Sequence, residues 1–248
     1  MVEVTFSSWL SEPINTNSDT YIITHGYLNS SNSKWVSDLA QEIDRLDTNS
    51  NIILTDWSEA AGTVNYPSAV EDTEEVGSQL ANWLFDEGIN PDTSQLIGHS
   101  LGAHVSGIAG DVYEDITGST IETIVGLDPA GPSYEDFLFF NGKSADERLD
   151  PTDGDRVVAF HTSDTFGYDD PLGLLDLYIN SDDLLQPGKS NALGNHAYSQ
   201  DLYTDLIKGN GYVQSNDQIL GDGIFDYEDI FAFSGSIDVD TTNSVFLG

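Results

Sequence analysis

Five residues, Gly98-His99-Ser100-Leu101-Gly102, constrain this sequence more than any others. The pattern G-x-S-x-G requires a sharp turn from a strand into a helix, with room beside the serine only for glycine. The flanking residues supply both elements. Ser94-Gln95-Leu96-Ile97 reads as a short buried strand, opened by the turn signal Asn90-Pro91-Asp92. The stretch after the motif, Ala103 to Gly110, is rich in small residues, as a helix lying close on a sheet requires. In that setting the Ser100 hydroxyl projects from the turn into a cleft, the position of a nucleophile.

The rest of the chain repeats the alternation. Thr20–Thr24, Asn51–Thr55, Thr120–Leu127 and Arg156–Phe160 read as buried strands. Between them, Ser33–Leu46 and Ala69–Phe85 place apolar residues at helical spacing. Strands alternating with helices predict a mostly parallel sheet covered on both faces, an α/β fold. Sites in such sheets lie beyond the carboxyl ends of the strands. His25, Asp56, Ser100, Asp128 and His161 all fall at those ends.

Composition narrows the classes. A length of 248 residues suits one domain with a sizeable core. There is no cysteine, so neither disulfides nor thiolate chemistry enters. Seven Lys and Arg against 43 Asp and Glu give a formal charge of -36. Such a surface repels nucleic acid, and no nucleic-acid partner is expected. The charge suits a halophilic or marine source, where salt screens the repulsion, and equally an acidic secreted protein. No run is long and apolar enough for a transmembrane segment. Residues 1–6 lack the basic and apolar regions of a secretory leader and lie close to the first core strands. The chain is expected to be secreted, with its leader already removed, and to be a monomer.

A serine hydroxyl needs a base to take its proton, usually an imidazole oriented by a buried carboxylate. When the order is serine, acid, histidine, the first candidate acid is Asp128 in Gly126-Leu127-Asp128-Pro129-Ala130-Gly131-Pro132, directly after a strand. Two histidines follow it. His196 lies between a Gly/Asn-rich loop and an apparent helix, and a mobile loop would let it swing between serine and leaving group. His161 competes, with Asp164 as a possible companion acid. A developing oxyanion needs two backbone N–H groups. Leu101 would supply one and Tyr27, in the turn His25-Gly26-Tyr27, the other, leaving His25 a structural role.

Ile23–Tyr27, Thr55–Trp57, Ile97–His104, Gly126–Pro132 and Asn195-His196 occur in the order seen in the pancreatic lipase family, which the chain resembles over residues 20–207. The resemblance implies an α/β-hydrolase fold and a serine hydrolase of lipid esters, of lipase or phospholipase A1 type. It implies Ser100 as nucleophile, Asp128 as acid and His196 rather than His161 as base, with Tyr27 and Leu101 as oxyanion donors. No cofactor for catalysis is implied, but a structural calcium ion is. Its ligands would be the carboxylates of Asp150 and Asp153 and the carbonyls of Ala145 and Arg148, an all-oxygen set suited to a hard cation. Tyr27, Leu28, Tyr66 and Leu101 are candidates for the acyl-pocket wall. A non-catalytic yolk-protein-like lipid binder and an esterase for small soluble esters are the rival readings.

The chain also departs from the family. The disulfides of animal members are absent. About fifty residues follow His196, too few for the family's lipid-docking β-sandwich. The segment Lys189–Asn195 is short where full lipases carry a long lid, which implies an open site. Residues 1–207 are read as the catalytic domain and 208–248 as an acidic segment packed on it. Within that segment Asp222–Asp229 echoes the closing half of a calcium loop. Leu220 stands where a ligand is needed, so it is read as an acidic turn.

Overall fold

The computed structural model describes residues 1–10, 12–136, 142–213, 224–242 and 244–246. In chain order the larger elements are β1 (Thr5–Ser8), β2 (Thr20–Thr24), α1 (Lys34–Leu46), β3 (Asn51–Asp56), α2 (Ser58–Ala61), α3 (Tyr66–Glu87), β4 (Ser94–His99), α4 (Leu101–Thr117), β5 (Ile121–Leu127), β6 (Gly154–His161), β7 (Leu175–Ile179) and α5 (Ala192–Ile207). Then come β8 (Asn210–Val213), β9 (Ile224–Phe225), α6 (Asp229–Ala232), β10 (Gly235–Val239) and β11 (Ser244–Phe246).

Eight strands form the main sheet in the order β1-β3-β2-β4-β5-β6-β7-β10. Among the described residues only β1 of this sheet runs antiparallel. The central strands are apolar at successive positions because both faces are covered. Ile22, Leu96, Ile124 and Val157 stand in register across one face, under α3 and α4. Ile23, Ile97, Val125 and Val158 stand in register on the other, under α1 and α5. A one-residue slip of any strand would exchange these rows, so the pattern fixes the register.

The helices begin and end where local chemistry directs. Helix α3 starts at Tyr66, ahead of the periodic apolar residues, because Pro67 sits in its first turn. It stops at Gly88, which takes the left-handed conformation at φ 66°. From β2 the chain crosses to β3 on one side, then returns through α3 to β4 on the other side of β2. That reversal between β2 and β4 is the switch point at which open α/β sheets form a crevice. It sets the loop after β2, with Tyr27, beside the turn after β4, with Ser100.

Strands β1, β7 and β10 extend the sheet beyond the strands expected from the sequence. β10 pairs with β7 in parallel, and Arg156 on β6 donates to the carbonyls of Ile230 and Phe233. A small antiparallel sheet, β11-β8-β9, lies apart from the main one. Of the calcium-loop echo, Asp222 and Gly223, like Leu220 before them, lie outside the described residues. Among the described residues no helix is long and apolar enough to cross a membrane.

Candidate active site

Ser100 sits between β4 and α4 with φ 57° and ψ -122°, a conformation that strains any residue with a side chain. Its N–H donates to the Leu127 carbonyl at 3.1 Å, tying the turn to β5. The glycines around it are required by space. A Cβ on Gly98 would strike the Gly102 carbonyl, and one on Gly102 would strike the Thr24 carbonyl. A Cβ on Gly26 would stand 2.6 Å from the His99 carbonyl oxygen and 2.8 Å from Ser100 Cβ. The loop after β2 therefore lies directly against the serine turn. Among the described residues neither the Tyr27 nor the Leu101 N–H donates to another residue. Leu101 is also the first residue of α4, where the helix leaves its amides unpaired and its dipole is positive.

Asp128 follows β5 and is fully buried, with φ 47°. Its Oδ1 accepts the N–H groups of Thr162 (2.6 Å) and Ser163 (3.1 Å) at the end of β6. Its Oδ2 lies 2.5 Å from His196 Nδ1. With Nδ1 turned to Asp128, Nε2 is the nitrogen left for the cavity that His196 and Ser100 both line. His196 belongs to the second turn of α5, not to the loop before it, which corrects the expectation of a swinging loop histidine. Asn191 caps this helix by accepting the Gly194 N–H, and Thr162 donates to the Asn195 carbonyl. The same strand end thus holds both the acid and the helix that carries the imidazole.

His161 is placed elsewhere. Nδ1 meets the Tyr168 carbonyl at 2.8 Å and Nε2 meets Asp176 at 2.9 Å. Its companion acid is Asp176 and not Asp164, because Asp176 on β7 stands beside β6 and also accepts the Leu172 and Gly173 amides. His25 keeps a structural role, facing the Gly26 carbonyl and accepting the Trp57 N–H. His104 accepts the Leu149 N–H and donates to the Ala130 carbonyl.

Two features near the site carried no sequence signal. The amides of Thr162 and Ser163 act through backbone alone, which any residue could supply. His99 packs its ring 4.7 Å from that of His196, and its Nε2 lies 3.1 Å from the His196 carbonyl oxygen. Burial, and then the proximity of His196, hold His99 well below the ordinary imidazole range, so it stays neutral.

The cavity has a volume of about 600 Å³. Tyr27, Leu28, Tyr66, Phe166 and Leu193 make its wall largely apolar. Leu28, in the left-handed conformation at φ 56°, is 64% exposed, and Leu193 is 65% exposed. Apolar side chains thus stand in water at its mouth. Tyr66 donates to the Pro132 carbonyl and meets Tyr27 edge to face. Leu101, offered above as a wall residue too, is fully buried and is not among the lining residues.

The candidate calcium ligands lie against α4, where a Cβ on Gly107 would strike Asp153 Oδ2. Asp153 is 3% exposed and accepts the Asp150 N–H. Burial pushes its carboxyl up to about 8, and the charges of Asp150 and Asp111 push the same way. Asp150 accepts from the Thr152 amide and hydroxyl, and the Ala145 carbonyl accepts the Arg148 N–H. The Arg148 guanidinium turns away, to the Leu149 carbonyl and the Tyr168 ring. Among the described residues no three Asp, Glu or His side chains gather as a metal cluster, so the candidate set rests on two carboxylates and two carbonyls; a buried carboxyl among like charges is the environment that a hard cation would relieve.

A parallel sheet with a serine turn at its switch point, and an acid and a histidine delivered after later strands, define an α/β-hydrolase. The chain belongs to the lipase family: the family's sequence model, described as Lipase, matches residues 6–208. Lipase member H of Mus musculus is 37% identical over 180 residues, covering 71% of this chain and 37% of that protein. Lipoprotein lipase of Neovison vison is 35% identical over 185 residues, covering 70% and 36%. The chain thus spans little more than a third of the length of the curated relatives it matches. A solved hyperthermophilic esterase from Pyrobaculum calidifontis aligns over 97% of this chain and 74% of its own, with 11% identity and a TM-score of 0.45.

Proposed function

We propose that this chain hydrolyses carboxylic esters of lipids, of lipase or phospholipase A1 type, through an acyl-serine intermediate. The observation that carries the reading is the 2.5 Å contact of Asp128 Oδ2 with His196 Nδ1, at the wall of the cavity that also holds Ser100. The Ser100 hydroxyl attacks the ester carbonyl while His196 Nε2 takes its proton. Asp128 keeps the proton on Nδ1 and stabilises the imidazolium. The Tyr27 and Leu101 amides receive the negative oxygen, aided by the α4 dipole. His196 then protonates the leaving alcohol, and water, deprotonated by the same nitrogen, releases the acid. The apolar cavity and the exposed leucines at its mouth favour a lipid chain over a small soluble ester.

Hydrolysis of dioctanoylglycerol and p-nitrophenyl butyrate tests the reading. The Ser100→Ala chain is expected to lose both activities. Retained hydrolysis would overturn the mechanism. Lipid binding without hydrolysis by the intact chain would mark a non-catalytic lipid binder, and action on the short ester alone a soluble esterase.

In the same reading the Asp150 and Asp153 carboxylates, with the carbonyls of Ala145 and Arg148, hold a structural calcium ion that braces the loop after β5. Calcium is expected to raise the unfolding temperature and EGTA to lower it, with Asp153→Asn removing the difference. No calcium dependence in the intact chain would refute the site. The -36 charge supports a chain that works in salt, outside the cell.

A further inference from the structure

Helix α5 brings the cavity both its base and an unused polar group. Leu193, His196, Ala197 and Gln200 all line the cavity of Ser100. Spacings of three and four place them on one stripe of the helix, with Gln200 one turn beyond His196. Helical side chains lean toward the helix N-terminus, so the Gln200 amide extends back over the turn that carries the imidazole.

Gln200 is 7% exposed, and among the described residues its side chain has no hydrogen-bond partner. Its amide is not sealed in protein either, so it opens on cavity space. The residue also borders a second cavity, of about 430 Å³, between α1 and α5. The other α5 residues there, Tyr198, Asp201 and Lys208 among them, stand on the neighbouring stripe, whereas Gln200 stands between His196 and Ala197. Other polar groups of the Ser100 cavity are occupied. Asn29 donates to the Tyr27 carbonyl and accepts the Trp35 indole N–H. Tyr66 donates to the Pro132 carbonyl. His99 turns Nε2 to the His196 carbonyl, and its Nδ1 is sealed off. A buried amide left unpaired costs stability, which a partner carried by the substrate recovers.

The reaction decides which part of the substrate arrives there. His196 hands its proton to the leaving oxygen, so the alcohol part of the ester lies against His196. The next group along the same stripe meets that alcohol part. An amide is uncharged and both donates and accepts, and a hydroxyl does the same. An alkyl alcohol displaces water from the amide and gives nothing back. We propose, resting on the reading of Ser100 as an ester-hydrolysing nucleophile, that Gln200 is a specificity-determining residue whose amide binds a free hydroxyl on the alcohol part. The chain then prefers esters that keep such a hydroxyl over alkyl esters of the same acid.

The test compares 1-monooctanoylglycerol with propyl octanoate in Triton X-100 mixed micelles. The two share the acyl group and the length of the alcohol and differ in hydroxyls alone. Partition into the micelle favours the propyl ester. The intact chain is nevertheless expected to show kcat/KM about fivefold or more higher for the glycerol ester. Gln200→Leu is expected to lower that ratio about fivefold, and Gln200→Met, unbranched and of like length, to do the same. Because the ratio is taken within one preparation, partial misfolding of a variant cancels from it. Equal kcat/KM for the two esters in the intact chain would overturn the inference. An unchanged ratio in the variants would overturn it too, by marking Gln200 as a mere support for His196. Inactivity of the intact chain on both esters is the distinct result that removes the underlying reading of Ser100, and the inference with it.

Discussion

Asp128 uses both carboxylate oxygens at once. One is fixed by two backbone amides and the other faces His196 Nδ1, so the acid is rigid before the imidazole meets it. Replacing it with asparagine keeps the shape but puts an amide where a carboxylate accepts. The imidazole then loses the tautomer it needs. Asp128→Asn is expected to lower kcat by about 10³ to 10⁴-fold, measured by steady-state ester hydrolysis. A loss of less than about tenfold would show that His196 is not oriented by this contact. The positive φ values of Ser100 and Asp128 belong to the same logic. Both residues follow a central strand, and both hold a strained backbone that aims a functional side chain.

At the scale of elements, His104 ties α4 to the loops that follow β5. Its two nitrogens are satisfied only in the neutral form, one accepting the Leu149 N–H and the other donating to Ala130. Burial holds the imidazole at about 3, far below the ordinary 6.5. The unfolded chain binds the proton first, so this contribution to stability is complete above pH 6.5 and declines as pH falls toward 3. It amounts to about 5 kcal/mol at most. The stability advantage of the intact chain over His104→Asn, read from urea midpoints, is expected to shrink across that window. An advantage that stays constant from pH 7 to about 4 would contradict it. Much of this framework is legible in the sequence. Strands β2 to β6 announce themselves as apolar runs because both faces are covered, and the serine turn is a local motif. Strands β7 and β10 escape notice because Asp176 and Asp238 interrupt their apolar runs. Asp176 is tolerated there only by its contact with His161 and two loop amides. No spacing rule connects Asp128 to His196, 68 residues away, or marks the amides of Thr162 and Ser163. Those contacts exist only after the sheet has brought β5, β6 and α5 together.

Over the whole molecule, the charge of -36 opposes compaction while the two apolar layers favour it. Added NaCl screens the repulsion and leaves the core intact. The unfolding temperature is expected to rise by on the order of 5 °C or more between about 0.1 M and about 1 M salt. A falling unfolding temperature would show that the ion pairs, and not the repulsion, dominate. The sheet serves the site through its topology, since the reversal at β2 and β4 is what sets Tyr27 against Ser100. The most direct measurement of the central claim is labelling by an organophosphate such as diethyl p-nitrophenyl phosphate, followed by peptide mass mapping. The account predicts one adduct, on Ser100, formed together with loss of ester hydrolysis and absent from Ser100→Ala. An adduct on another residue, or hydrolysis that survives complete labelling of Ser100, would contradict it.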